Sequence, residues 1–385
     1  MSKVNLDEES NKSNQNDKLQ RMTVFKSNTL ITSKYSMNAR SLKLITACLN
    51  KINPFEKPPV NGTSITLTTK EIKDLLNTSS HSLYEQMKNV RDNIGSNNTI
   101  FYEDDTNNKT GFFVLVESCE FDVENGITIN FGKTATPFLY EIQKSGVGFT
   151  KLKVSTILNL TSAHAIRFYE LFKKCMFRMS REKKYIEVEY GLNELKIVLG
   201  LIDLNSKEAT KCRKLMNDGE TDYDKIMDVY EGTVPYKRID NFKDRVIETA
   251  QRELKEMTEI RFEYEPIKKG RAINAFKFKI YRNIPENKHY RNNLEILDSM
   301  EELDEDEVID YIIDIIEEKR VKVSEAKQIA KAGEYNIVFI SKAYELFKQQ
   351  RKVSNVCGWL VSCLNDNYEN IKGKDIEFEE VIKDS

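Results

Sequence analysis

The chain has 385 residues, 39% hydrophobic and 31% charged, with a formal net charge of −2; the length suits two or three domains, and no apolar run approaches the ~20 residues that span a bilayer. Six cysteines without a CxxC pair argue against a structural zinc site and fit reduced thiols in a cytoplasmic protein. The total conceals an asymmetry: residues 281–385 hold 15 Lys and Arg against 23 Asp and Glu, leaving 44 against 38 in residues 1–280, so a basic body suited to a polyanion precedes an acidic tail.

The polar leader, residues 1–25, has no apolar h-region and reads as disordered rather than as a signal peptide. In 37–53, Leu42, Ile45, Leu49 and Ile52 share a helical face, which Pro54, Pro58 and Pro59 end. ITLTTKEIKDLL reads as a short strand and then a helix, whose start is marked by the capping pair Thr68 and Glu71. Leu83, Met87, Val90 and Ile94 give the next helix its apolar face, with Lys88, Asn89 and Arg91 between them. TIFYE, GFFVLVESCEF and ITINF read as strands, parted by the turns EDDTNNKTG and VENG. Helix, short strand, helix, helix, hairpin is the order of a winged helix.

The order then recurs. KLKVSTILNL and TSAHAIRFYELFKKCMF read as helices, the second capped by Thr161 with Ala165, Phe168, Phe172 and Met176 inward. KYIEVEY reads as a strand, and GLNELKIVLGL as a short helix with Leu192, Leu195 and Leu199 on one face. After a polar stretch, 203–235, NFKDRVIETAQRELKEM predicts a long helix over 240–257. Asp240 is its expected N-cap, and Phe242, Val246, Ala250, Leu254 and Met257 its buried stripe.

FEYEPIKKGRAINAFKFKI, residues 262–280, alternates on either side of KKGR, as a hairpin does. Phe262, Tyr264, Phe276, Phe278 and Ile280 form its buried side, Pro266 and Gly270 shape the turn, and a break in parity between Ile273 and Phe276 predicts a bulge. From 284 the pattern is helical: acidic MEELDEDEVIDYIIDIIEEKR, the helix pair SEAKQIAKAGEYNIVFISKAYELFKQQRKV, and amphipathic NVCGWLVSCLNDNYEN. The expected architecture is α+β: tandem winged helices over 30–145 and 146–283, then an all-helical acidic module over 284–385.

Catalytic signatures are weak. His81, His164 and His289 are dispersed, so the paired-histidine metal site of a strand nickase is missing. The GKT of NFGKTAT would need a glycine at position 127 to make a P-loop, and Ile127 stands there, with Gly126 one residue off. The run 301–307 reads as a solvated helix face. Tyr169, Tyr185, Tyr190 and Tyr236 lack an adjacent base or metal, which favours packing or phosphate hydrogen bonding over nucleophilic roles. The expectation is no enzyme, no catalytic residue, no metal and no cofactor.

DNA binding has more support. With the stripe inward, Arg245, Glu248, Gln251, Arg252 and Lys255 point outward. Lys243 lies near the helix start, Lys237 and Arg238 precede it, and Lys268, Lys269 and Arg271 form the wing tip. Any one of these could equally be an ordinary solvated charge. Together, on a recognition helix and its wing, they favour DNA, with Arg suited to guanine and Lys to phosphate.

The segment YKRIDNFKDRVIETAQRELKEMTEIRFEYEPIKKGRAINAFKFKI resembles the recognition region of the iteron-plasmid replication initiators, proteins with two winged helices. HAIRFYELFKK, GLNELKIVLGL and RMTVFKSNTLITSKYSMNARSLKLITACLNKI are similar to further family segments, so the resemblance spans about 22–282. It implies a protein that binds short direct repeats at a plasmid origin, helps melt an AT-rich region and recruits host initiator, helicase or primosome proteins. It also implies dimers, formed mainly through the first winged helix, that repress the initiator's own gene or tether origins.

Carried over, Lys243, Arg245 and Arg252 contact DNA, with Lys237, Arg238 and the 268–271 wing on the backbone and Lys88 and Arg91 added by the first domain. Asp244 departs from a cluster that is often all basic, and 203–235 is longer than the family needs. NVCGWLVSCLNDNY is similar to a segment of DnaD-type primosome proteins. A winged-helix repressor without origin function and a strand-nicking initiator enzyme are the alternatives.

Overall fold

The computed structural model describes residues 23–60, 62–76, 80–104, 109–144, 147–176, 183–283, 308–309, 312–313, 315–316, 321–335, 337–348 and 355–366. The leader up to residue 22, His289 and the run 301–307 lie outside them. Two compact units separate, one within 1–178 and 185–281, the other within 179–184 and 282–385.

The first unit opens with β1 (Thr23–Ser27), which pairs antiparallel with β7 (Phe149–Lys153) from Thr23↔Lys153 to Ser27↔Phe149. This corrects the reading of KLKVSTILNL as helix throughout. Residues 149–153 are extended with Thr150 and Leu152 buried, and only α5 (Val154–Asn159) is helical. Val154, Ile157 and Leu160 do match a helical spacing, and the partner strand that makes 149–153 extended lies far away in sequence.

α1 (Asn28–Thr32) leads to α2 (Ala39–Asn50), where the Asn38 side chain accepts from the Ser41 amide and Leu42, Ile45 and Leu49 are buried. Between β2 (Thr63–Leu67) and α3 (Thr69–Leu76) the expected capping box is present. Glu71 Oε2 accepts from the Thr68 amide at 2.7 Å, and the Glu71 amide donates to Thr68 Oγ1 at 3.2 Å. α4 (Ser80–Ser96) buries Leu83, Met87, Val90 and Ile94 as predicted.

The stretch GFFVLVESCEF splits at Leu115: β4 (Lys109–Val114) pairs with β3 (Thr99–Asp104), whereas β5 (Val116–Asp122) pairs with β6 (Gly126–Phe131), which also pairs with β2. Gly126 turns at φ +101°, and a Cβ there would sit 2.0 Å from the Leu67 carbonyl oxygen, so no other residue fits. The GKT of 132–134 follows the end of β6 as a turn.

In the second half, α6 (Ala163–Met176) buries Ala165, Phe168 and Phe172. Its cap is Ser162, whose hydroxyl accepts from the His164 amide, and not the expected Thr161. After β8 (Ile186–Gly191) and α7 (Leu192–Val198), the polar stretch 203–235 folds into α8 (Thr210–Asn217) and α9 (Tyr223–Asp228). Its residues Leu204, Ala209, Cys212, Met216 and Ile226 close a small core with Ile197, Ile202 and Phe101 of β3.

The predicted long helix is α10 (Ile239–Phe242), a π turn over Lys243–Ile247, and α11 (Glu248–Met257). β9 (Ile260–Lys269) and β10 (Ala272–Arg282) form the hairpin, in a sheet of order β8-β10-β9. Pro266, which cannot donate to a ladder, lies on the edge strand. Phe168 and Phe172 of α6 pack against Phe262 and Phe278 of the hairpin at centroid distances of 5.0–5.7 Å.

A single apolar core runs through both halves, and a buried polar knot sits within it. The Arg167 guanidinium donates to the carbonyls of Ile31 (2.9 Å), Ser33 (2.8 Å) and Val198 (3.2 Å), to Tyr35 Oη (2.6 Å) and to Glu170 (2.7 Å). Lys26 Nζ meets the other Glu170 oxygen at 2.8 Å. In the second unit, α12 (Val323–Ala332), α13 (Ile337–Lys348) and α14 (Val356–Asp366) share a separate core that includes Ile329, Tyr344, Phe347, Leu360 and Leu364.

Candidate nucleic-acid interface

The chain enters the recognition helix through Tyr236, at φ +52°, a left-handed conformation rare for an aromatic residue. Lys237 and Arg238 follow, both exposed. Arg238 occupies the N-cap position, which corrects the assignment of Asp240; the helix starts at Ile239 and Asp240 lies in its first turn, where a carboxylate suits the positive end of the dipole.

The π turn changes which residues face outward. The Glu248 amide donates to the Lys243 carbonyl, five residues back, and Thr249 Oγ1 donates to the Asp244 carbonyl at 3.1 Å. A four-residue step overshoots a full α-helical turn by about 40°. The stripe Phe242, Val246, Ala250, Leu254 would therefore drift by about 120° in a regular helix. All four are 0% exposed, because the wider π turn absorbs the drift.

Arg245, Glu248, Arg252 and Lys255 are exposed, and Lys243 is half-buried at the helix edge. Gln251 is corrected: it is half-buried, and its Nε2 donates to the Phe262 carbonyl at 2.8 Å, tying the helix to β9 instead of reaching outward. Glu248 accepts from Tyr264 Oη at 2.8 Å, and burial with this neighbouring carboxylate pushes the Tyr264 phenol well above its ordinary range.

At the wing tip Gly270 takes φ +67°, and Lys268, Lys269 and Arg271 around it are exposed. Lower on the wing the charges are matched, Lys279 to Glu265 at 2.9 Å, with Arg261 stacked over Tyr281 at 4.1 Å. Among the described residues, Lys237, Arg238, Lys243, Arg245, Arg252, Lys268, Lys269 and Arg271 have no carboxylate partner. In the first winged helix Lys88 is exposed on α4, whereas Arg91 is held by Asp92 at 2.7 Å.

Asn241 is exposed in the first helical turn. One residue of this element carries a role not expected from the sequence. Glu253, 8% exposed, accepts from the Thr161 amide (2.7 Å), Thr161 Oγ1 (2.8 Å) and the Ser162 amide (3.2 Å), clamping the recognition helix to the start of α6. Glu253→Ala is expected to cost about 1–3 kcal/mol, read as a lower urea midpoint, and to weaken DNA binding through misplacement of the helix.

His164 is half-buried, and burial pushes its imidazole below the ordinary histidine range. Among the described residues no group of three His, Cys, Asp or Glu could hold a metal, and no helix is long and apolar enough to cross a membrane.

Residues 23–173 match the model of "Initiator Replication protein, WH1", and residues 224–280 that of "Initiator Rep protein, WH2". A curated "Replication initiation protein" of Escherichia coli is 23% identical over 181 residues, 47% of this chain and 55% of that protein, so the chain spans little more than half of the relative's length. The crystal structure of Pi initiator protein in complex with iteron DNA superposes with a TM-score of 0.50 at 19% identity, over 69% of this chain and 98% of that one; this likeness is one of fold. The two matched domains together cover more than half of the chain in the order that the two winged helices take, and the chain belongs to the family of initiator replication proteins with a WH1 and a WH2 domain.

Proposed function

We propose that the protein initiates plasmid replication in the cytoplasm by binding short direct repeats at its origin, with no catalytic step of its own. The observation that carries this reading is the set of surface cations, without carboxylate partners among the described residues, on the recognition helix and wing of the second winged helix, in a chain of the initiator family. Lys237, Arg238, Lys268, Lys269 and Arg271 supply salt-dependent phosphate contacts; Lys243, Arg245 and Arg252 stand where base edges are read. Lys88 and Arg91 add contacts from the first winged helix, Arg91 after release from Asp92.

Strand opening then comes from several bound copies deforming adjacent AT-rich DNA. Host initiator, helicase or primosome proteins join the assembled origin, and a dimer formed through the first winged helix represses the chain's own gene. The domain division that goes with this reading is 30–145 and 146–283 for the two winged helices and 284–385 for the acidic helical module.

Footprinting on the DNA that flanks the protein's own gene tests the reading. Tandem protected repeats beside an AT-rich tract are expected. A lone protected palindrome would instead support a repressor, and a covalent adduct with supercoiled DNA and a divalent metal would support a nicking enzyme.

A further inference from the structure

Asp244 is a carboxylate between two cations, Lys243 and Arg245, and the π turn gives it a definite place. The inference rests on the second winged helix being the DNA reader. Since the π turn keeps positions 242, 246, 250 and 254 on one side, Asp240, Asp244, Glu248 and Arg252 form the ridge opposite them, and all four are exposed. On that ridge Glu248 is engaged by the Tyr264 hydroxyl. The Asp244 carboxylate has no hydrogen-bond or ion-pair partner among the described residues, while its own carbonyl is pinned by Thr249 Oγ1.

A carboxylate on the outermost line of a groove-entering helix is repelled by both phosphate backbones, while Lys243 and Arg245 occupy the flanks that face them. In the major groove, guanine presents acceptors and thymine an acceptor and a methyl; adenine has an N6 amino donor, but its N7 acceptor lies beside it and repels a carboxylate, so the pairing that suits a carboxylate is with the N4 amino group of cytosine. We propose that Asp244 is a specificity-determining residue that accepts a hydrogen bond from a cytosine N4 amine in the major groove, and that the π turn aims it there. Such a residue weakens binding to every sequence and gains discrimination, because a carboxylate facing guanine O6 or thymine O4 is unpaired and repelled.

The experiment uses the full chain and duplexes carrying the repeat that the wild type selects from random DNA, substituted one base pair at a time. The wild type should lose a factor of about five or more when one particular C·G pair is replaced. Asp244→Ala should be indifferent at that pair, keep its penalties elsewhere, and bind random-sequence DNA more tightly. Asp244→Asn should turn the preference there toward adenine, the base that an amide reads. Asp244 is exposed, so neither variant removes core packing, and thermal melting verifies folding. An Asp244→Ala profile identical to wild type overturns the inference while DNA reading stands. A wild type that selects no sequence overturns the DNA-reading assignment, and the inference with it.

Discussion

Replacing Glu170 with glutamine is expected to lower the unfolding free energy by about 3–5 kcal/mol or more, read as a fall in the urea midpoint at unchanged slope. Glu170 is 1% exposed and lies between Arg167, also 1% exposed, and Lys26, 6% exposed. The substitution keeps shape and removes charge, leaving two buried cations without their counter-charge. Arg167 cannot shed its proton, so Lys26 must give up its own or draw in water. A second change, Lys26→Met in the Glu170→Gln background, removes one of the two cations and should restore part of the loss. A double variant no more stable than Glu170→Gln alone would overturn this account.

The same knot fixes a pH dependence. Burial by itself would push the Glu170 carboxyl up, but the Lys26 ammonium and Arg167 guanidinium bring it below its ordinary value. Burial by itself would lower Lys26, but Glu170 and Tyr35 raise it. A depressed carboxyl stabilises the fold above its unfolded pKa of about 4.3 and loses that contribution as pH falls through the folded value. A raised ammonium contributes below about 10.4 and loses it as pH rises further. Wild-type stability should therefore weaken below about pH 4, and Glu170→Gln should flatten that limb.

Local signals carried most of the architecture. Period-3.6 stripes at 42–52 and 83–94, the Thr68–Glu71 box and the period-2 alternation of 262–280 depend on neighbours a few residues away, and each reappears in the structure. What escaped was non-local. Residues 149–153 become a strand only because 23–27 pairs with them. Residues 203–235 read only as a polar stretch because their core is completed by Ile197 and Phe101, from elsewhere in the chain. The knot at Arg167 was hidden within a stretch read only for its aromatic face.

The candidate site divides in the same way. Its basic residues stand out by charge and position, whereas the clamp made by Glu253 and the tie made by Gln251 need the folded partner. The π turn was half legible: a strict four-residue repeat of Phe242, Val246, Ala250 and Leu254 is itself evidence against a regular α-helix, but reading it so requires knowing that all four are buried.

Arg245→Ala and Lys268→Ala should weaken DNA binding in two different ways. Arg245 stands exposed on the flank of the π turn, one helical turn from Asn241, where a guanidinium can meet the O6 and N7 of guanine. Its loss should cost about 1–3 kcal/mol on the cognate repeat, a factor of about 5–150, and relax the choice at one base pair while leaving random-sequence affinity less changed. Lys268 stands at the wing tip beside the left-handed Gly270, without a carboxylate partner among the described residues. An ammonium there neutralises a phosphate, so its loss should weaken all sequences alike and lower the slope of log affinity against log salt by about one. The comparison is internal, since both variants remove one positive charge from an exposed position and leave the core untouched. Equal changes in specificity and in salt slope for the two would mean that helix and wing do not divide base reading from phosphate contact, and that both cations act only through the general field of the basic body.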